Sequence, residues 1–181
     1  MATNGRGGAP IQKWRKVLRL LERNILLPGV CRVVKLLSTT RYLVDGDSMQ
    51  PSLAGGQHIL VSRMACRFGD PSRGSVVVLR DPGQDGRHCI KRIIGLPGEH
   101  IQIDGSQILI DGYVLRESYR HETPQSCYTS QWVLGADEFF VLGDYRQNSR
   151  DSRSFGPIQR HNIIGEVWRR YWLQKQSKKP V

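Results

Sequence analysis

Short apolar segments, each bounded by Gly, Pro or Asp, recur along the chain from Tyr42 to Trp168. They are rich in Val, Ile and Phe, which favour strands over buried helices. The segments cover residues 42–44, 58–61, 75–79, 89–94, 101–104, 108–111, 139–142 and 163–168. No amphipathic helices alternate with them, so neighbouring strands are expected to pair antiparallel. The pattern predicts a mainly β fold built from coiled antiparallel sheets.

One interval of the chain is expected to form an excursion from the main β body. A chain of 181 residues is long enough for one domain with a hydrophobic core and a small excursion. Two pairs of isoleucines alternate with a period of two on either side of residues 105–107, which predicts a hairpin. After this hairpin the pattern is weak as far as residue 137. We therefore expect residues 99–137 to leave a main body made of residues 41–98 and 138–173.

Ser48 lies in the run Asp47-Ser48-Met49-Gln50-Pro51, shortly after an apolar stretch. Pro51 cannot donate to a strand ladder, so the strand is expected to end near Ser48. Gly46 allows another backbone to approach closely because it has no Cβ. A hydroxyl and a backbone N–H at such a position could meet a substrate carbonyl. Taken alone, however, Ser and Pro in this order are also typical of an ordinary turn.

Lys91 makes a catalytic interpretation of Ser48 more specific. It lies between Ile90 and Arg92-Ile93-Ile94, and on an alternating strand either Lys91 or Arg92 must face apolar surroundings. A serine hydroxyl attacks poorly until a base removes its proton, and a neutral lysine amine can be that base. Burial favours the neutral amine because it lowers the pKa of lysine. The two residues predict a Ser–Lys nucleophile pair at the ends of two extended segments.

A third motif runs from Gly143 to Arg153 and reads Gly-Asp-Tyr-Arg-Gln-Asn-Ser-Arg-Asp-Ser-Arg. It contains two carboxylates, three arginines and several short polar side chains. It has no nucleophile spacing of its own. This density of donors and acceptors indicates a hydrogen-bonded brace.

The three motifs, in this order, resemble the type I signal peptidase family of serine endopeptidases. The resemblance covers most of the chain. It implies that Ser48 is the nucleophile, that Lys91 is the general base, and that N-terminal signal peptides are cleaved from exported precursor proteins without a cofactor. It also implies that the main body is the catalytic β domain and that residues 99–137 are a short inserted β subdomain.

Supporting residues follow from the same resemblance. The matching serine helps to orient the lysine amine, and an Asp–Arg pair supports the site. The substrate adds as an extended strand beside the segment before Ser48. The implied supporting residues are Ser149, Asp151, Arg153 and Asp144, and the implied substrate-binding residues are Leu43, Val44, Gly46, Met49 and Ile90. Tyr145 stands where the family usually has Asn, and Ser75 where it usually has Asp.

The first forty residues have a different character. Residues 1–10 are small, polar and Gly-rich, which is typical of disorder. From residue 11 to 25, apolar side chains recur at helical spacing between five cations, which predicts a basic amphipathic helix. Arg32, Lys35 and Arg41 interrupt every window long enough to span a membrane. Most members of the family have amino-terminal spans. Here we expect residues 1–40 to attach peripherally to an anionic membrane. We expect the catalytic domain to lie on the extracytoplasmic face. The alternative is that the amphipathic helix packs on its own domain.

The net charge of +11 indicates an anionic partner, either lipid headgroups or nucleic acid. Much of the surplus lies in the amino-terminal helix and in the tail, residues 174–181, which we expect to be flexible. No aromatic platform of the RNA-binding kind is evident, so nucleic acid is not expected as a partner. A basic β module binding nucleic acid, and a dedicated peptidase acting on one precursor, are the alternatives. The four cysteines are far apart without a CxxC motif, so we expect ordinary thiols and no metal site.

Overall fold

The computed structural model describes residues 39–63, 71–84, 86–119 and 128–171. The predicted amphipathic helix and the tail lie outside these residues. A compact unit begins at Thr39. Within the described ranges, no helix is both long enough and apolar enough to cross a membrane.

Strands account for most of the regular secondary structure of the described chain, and the helical turns between them are short. The strands are β1 (Thr39–Leu43), β2 (His58–Ser62), β3 (Val76–Arg80), β4 (His88–Gly95), β5 (His100–Asp104), β6 (Gln107–Ile110), β7 (Tyr113–Val114), β8 (Thr129–Val133), β9 (Glu138–Leu142), β10 (Ile158–Gln159) and β11 (Ile163–Tyr171). One short α-helix, α1 (Ser152–Phe155), and two 3-10 turns, Arg146–Asn148 and Arg160–Asn162, lie between β9 and β11.

The strands form two antiparallel sheets. The larger sheet has the order β1-β2-β11-β3-β4-β9-β10, and the smaller sheet has the order β7-β6-β5-β8. Every pairing in both sheets is antiparallel. The predicted mainly β, antiparallel fold is therefore confirmed.

The smaller sheet contains the predicted hairpin. β5 pairs with β6 so that Ile101 faces Ile110 and Ile103 faces Ile108, as the alternation of the isoleucines predicts. The smaller sheet extends from residue 100 to residue 133, inside the predicted excursion of residues 99–137. Whether this sheet is a separate subdomain stays a prediction.

Strand β4 contacts three clusters of the hydrophobic core through its isoleucines. Ile93 belongs to a buried cluster with Leu79 and Phe139, whereas Ile90 packs against a second cluster around Met49. The next residue after Ile93 joins a third cluster that also contains the isoleucines of the smaller sheet. Because three clusters meet along one strand, side chains on β4 have well-fixed positions.

Candidate active site

Ser48 lies in the turn that follows β1. The strand ends at Leu43 rather than near Ser48, and pairing with the next strand ends one residue later, where Val44 N–H donates to Gln57 O at 2.8 Å. The backbone then bends at Gly46, whose φ of 88° favours glycine. The bend separates Ser48 from the strand and places it in the turn.

Lys91 lies in the middle of β4. The prediction that it ends an extended segment is wrong, because β4 continues to Gly95 through two fully buried isoleucines. Lys91 pairs with Val77 of β3, and it is only 3% exposed. Its Nζ donates to Ser48 Oγ at 2.9 Å. The fold therefore brings the two side chains into direct hydrogen-bond contact.

Burial lowers the pKa of Lys91 below its ordinary value, and this is the largest effect on the amine. The Arg153 guanidinium also lowers this pKa, whereas Asp151, Asp81 and Cys89 raise it. Burial raises the pKa of Cys89 to about 11, so its thiol is uncharged near neutral pH and does not oppose the effect there. The environment thus favours a neutral amine, which has a lone pair available to accept a proton.

Gly143 brings Ser149 close to Ser48. A Cβ at Gly143 would lie 2.2 Å from Ser149 Oγ and 2.6 Å from Ser48 O, so no side chain fits there without displacement. The same Ser48 carbonyl accepts a hydrogen bond from Tyr145 N at 3.0 Å. Ser149 Oγ is buried and forms no hydrogen bond within the described part of the chain. Its predicted role in orienting the amine of Lys91 stays a prediction.

Asp151 organises the loop that follows β9. It is fully buried, and its carboxylate accepts hydrogen bonds from Arg153 Nε at 2.8 Å and from Gly143 N at 3.0 Å. Asp151 is also the N-cap of α1. Arg153 in turn donates from Nη2 to Arg146 O at 2.7 Å. The carboxylate thereby holds both ends of the loop that contains Ser149.

Asp144 forms a second buried pair with Arg92, the neighbour of Lys91 on β4. Arg92 donates from Nε to Asp144 Oδ1 at 2.8 Å and from Nη2 to Oδ2. It also donates to Gly74 O at 2.7 Å and to Ser52 Oγ at 3.0 Å. The sequence leaves open which of the two basic residues faces apolar surroundings. In the structure Lys91 is the buried one, and Arg92 lies at the opposite side of the strand among polar partners.

A cleft of about 140 Å³ lies beside Ser48. All five predicted substrate-binding residues line it together with Ser48, and the sequence analysis does not name the remaining lining residues as substrate-binding. The lining is Tyr42, Leu43, Val44, Asp45, Gly46, Ser48, Met49, Val78, His88, Cys89 and Ile90. The additional residues on β3 and β4 could have been found from strand pairing, because Val78 is the pairing partner of Ile90. Strand β1, which borders the cleft, is an edge strand of the larger sheet among the described strands.

Nothing in the described ranges indicates a metal site, since no group of three or more His, Cys, Asp or Glu side chains converges there. The arrangement consists instead of a hydroxyl, a buried amine and an apolar cleft next to a sheet edge. Such a set can support nucleophilic attack on a carbonyl carbon.

Comparison with known proteins gives a consistent result. The family model described as signal peptidase, peptidase S26, matches residues 17–172. The chain is 36% identical over 144 residues to signal peptidase I of Leptolyngbya laminosa, covering 75% of this chain and 70% of the relative. It is 34% identical over 167 residues to the probable signal peptidase I-1 of Synechocystis sp., covering 85% and 84%. A crystal structure of a signal peptidase I from Enterococcus faecalis V583 has a TM-score of 0.48 and 29% identity, covering 55% of this chain and 97% of that one.

The protein is a hydrolase of the serine endopeptidase class. It belongs to the signal peptidase family, peptidase S26. The enzyme interpretation of the sequence is thereby confirmed.

Proposed function

We propose that this protein cleaves signal peptides from precursor proteins with Ser48 as the nucleophile and Lys91 as the general base. The observation that carries the proposal is the 2.9 Å contact between Lys91 Nζ and Ser48 Oγ, made by a lysine that is only 3% exposed. An uncharged amine at this distance is within reach of the proton that it must remove.

The reaction proceeds in two halves. The neutral amine of Lys91 takes the proton of Ser48 Oγ while the oxygen attacks the scissile carbonyl carbon. The ammonium then returns this proton to the leaving amine, the C–N bond breaks, and an acyl ester on Ser48 remains. Lys91 next deprotonates a water molecule, which attacks the ester carbonyl. The ester C–O bond then breaks, the ammonium returns the proton to Ser48 Oγ, and the new carboxyl group is released. The backbone N–H of Ser48 is proposed to donate to the oxyanion in both halves.

The cleft and the sheet edge support the binding of an extended peptide. The backbone of β1 is available for strand addition, because no described strand pairs with its outer side. Leu43, at the end of β1, is 59% exposed, and the deeper side chains Val44 and Met49 are buried. A cleft of about 140 Å³ accommodates small side chains. We infer that this protein shares the preference of the family for small residues at the first and third positions before the cut.

The membrane and compartment assignments rest on the sequence. Five cations opposite an apolar stripe in residues 11–25 favour attachment to anionic headgroups. We propose peripheral attachment through residues 1–40, with the catalytic domain on the extracytoplasmic face, where exported precursors emerge.

Cleavage of a precursor that carries a signal peptide tests the proposed dyad. We expect Ser48→Ala and Lys91→Met each to lose activity by at least about 10³-fold while the protein stays folded, because nucleophile and base act as a unit. Ser72→Ala is the matched control, since Ser72 is exposed in the turn before β3, and it should cleave at the wild-type rate. Turnover near the wild-type rate in either dyad variant would overturn the assignment.

A further inference from the structure

Residues 115–119, which follow β7, connect the smaller sheet to the proposed active site. Leu115 N donates to Ile108 O at 2.8 Å, which ties the start of this segment to β6. Leu115 and Tyr119 both pack against the cluster that contains Ile94 of β4 and the isoleucines of the smaller sheet. The segment is thus anchored on the core at both of its ends.

Glu117, at the centre of the segment, forms an ion pair with Arg146 of the loop after β9. Arg146 Nη1 donates to Glu117 Oε2 at 3.1 Å, and Nη2 donates to Oε1. The two side chains are 5% and 8% exposed, so water screens their attraction weakly. Tyr119 adds a hydrogen bond from its hydroxyl to Glu117 Oε1 at 2.9 Å. Burial raises the pKa of Tyr119, and the neighbouring carboxylate raises it further, so the hydroxyl keeps the proton that it donates.

The other side of Arg146 faces Gly143, at the start of the loop after β9. Its Nε donates to Gly143 O at 2.9 Å, and Gly143 is the residue wedged between Ser149 and the Ser48 carbonyl. The position of Gly143 therefore depends on Arg146, whose guanidinium is oriented by Glu117.

Tyr119 makes a second connection, to the strand that carries the base. The guanidinium of Arg92 lies over the ring of Tyr119, 4.0 Å from its centroid. Such a contact is attractive and limits the rotation of both side chains. Arg92 follows Lys91 directly on β4 and is paired with Asp144. One segment therefore contacts the supports of both the nucleophile and the base.

We propose that Glu117 and Tyr119 are positioning residues of the peptidase site. They touch neither the dyad nor the cleft, and they act through Arg146 and Arg92. This inference rests on the proposed function of the dyad. It assigns a role in catalysis to the segment after β7, which the sequence motifs do not include.

The test compares three variants of the full-length protein in cleavage of a signal-peptide-bearing precursor, with kcat, KM and urea unfolding measured for each. Glu117→Gln keeps the shape and removes the charge. Tyr119→Phe removes only the hydroxyl. Glu99→Gln is the matched control. It breaks the ion pair between Glu99 and Arg73, which also joins the border of the smaller sheet to the larger sheet. This pair has no described contact to the loop after β9.

We expect kcat of Glu117→Gln to fall on the order of 10- to 100-fold, the loss typical of a small misplacement of catalytic groups. Its KM should stay within about twofold, because Glu117 does not line the cleft. Tyr119→Phe should lose kcat in the same direction but less, and it decides the question if Glu117→Gln does not fold. The Glu99→Gln control should keep the wild-type kcat even if its unfolding midpoint falls.

A kcat for both test variants equal to that of Glu99→Gln would overturn the inference and leave only a structural ion pair. A rise in KM at constant kcat would overturn it too. Ser48→Ala in the same assay distinguishes failure of the dyad from failure of the positioning role. If that variant stays active, the proposed function fails; if it is inactive while Glu117→Gln and Tyr119→Phe behave like the control, only the positioning role fails.

Discussion

Lys91 must satisfy two opposing requirements. Catalysis needs a neutral amine, which burial provides, whereas folding is destabilised because a buried amine loses its hydration. Its folded-state pKa lies below that of the unfolded chain. The unfolded state therefore binds more protons between the folded pKa and about 10.4, and the stability contribution of Lys91 rises with pH across that window. At neutral pH the residue is expected to cost stability.

Replacement of this lysine should separate activity from stability. We expect Lys91→Met to lose at least about 10³-fold in activity and yet to be more stable near pH 7 by about 0.5–2 kcal/mol, the usual range for a stabilising substitution. Urea unfolding at pH 7 measures the difference. A clear loss of stability in Lys91→Met would mean that the amine is well satisfied in its charged form, and would contradict a neutral Lys91.

Gly143 allows a second prediction at this scale. A methyl group there would meet Ser149 and the Ser48 carbonyl at 2.2–2.6 Å. We expect Gly143→Ala to lose at least about 10²-fold in kcat, because the turn that contains Ser48 must move to make room for the methyl group. Gly55→Ala is the control, since its nearest contacts would be at an ordinary 3.7 Å. Equal activity of the two variants would show that the close approach at Gly143 is dispensable.

The elements that carry the site differ in how much of them the sequence predicts. The strands of the larger sheet are rich in β-branched residues, so the segment 89–94 locates β4 (His88–Gly95) to within one residue at each end. The segment Thr129–Val133 forms β8, which the apolar pattern does not predict. Its half-buried positions are Ser130 and Trp132, and only one of them is apolar. A run or an alternation of apolar residues is therefore the condition for finding a strand.

The same limit applies to the site. Ser48, Lys91 and the loop residues can be found because they lie in compact motifs. Arg92 enters the sequence analysis only as the competitor of Lys91 for the apolar face, and no motif indicates Glu117 or Tyr119. Their partners lie 29 and 27 residues away in sequence, as Glu117 to Arg146 and Arg92 to Tyr119 show. Contacts over such separations depend on how the two sheets pack, which no local pattern records.

The loop after β9 and the helix α1 form one unit around Asp151. We expect Asp151→Asn to lower the free energy of unfolding by about 3 kcal/mol, the lower end of the range for breaking a buried ion pair, because Arg153 still reaches solvent. Activity should fall with it. Asp81→Asn breaks the more exposed pair with Arg150 and should cost less than about 1 kcal/mol. Similar losses in the two variants would argue against a special role for the buried carboxylate.

At the scale of the whole molecule, the amino-terminal segment is expected to attach the catalytic domain to the membrane. A compact unit begins at Thr39, and every proposed catalytic residue lies beyond that point. We expect deletion of residues 1–37 to release a soluble, active domain. Binding of the full-length protein to vesicles should require anionic lipid and weaken in high salt, since each cation contributes about 1 kcal/mol that salt screens. Retention on membranes after both high-salt and alkaline washes would indicate a spanning anchor instead.

The pH dependence of kcat for precursor cleavage tests the central claim most directly, namely that a buried, neutral Lys91 activates Ser48. Because burial lowers the pKa of this amine, kcat should rise with pH along a limb whose apparent pKa lies well below the ordinary lysine value of about 10.4. The limb should be absent from the residual activity of Lys91→Met. A limb that titrates near 10.4, or a profile without any basic limb, would contradict the proposed mechanism.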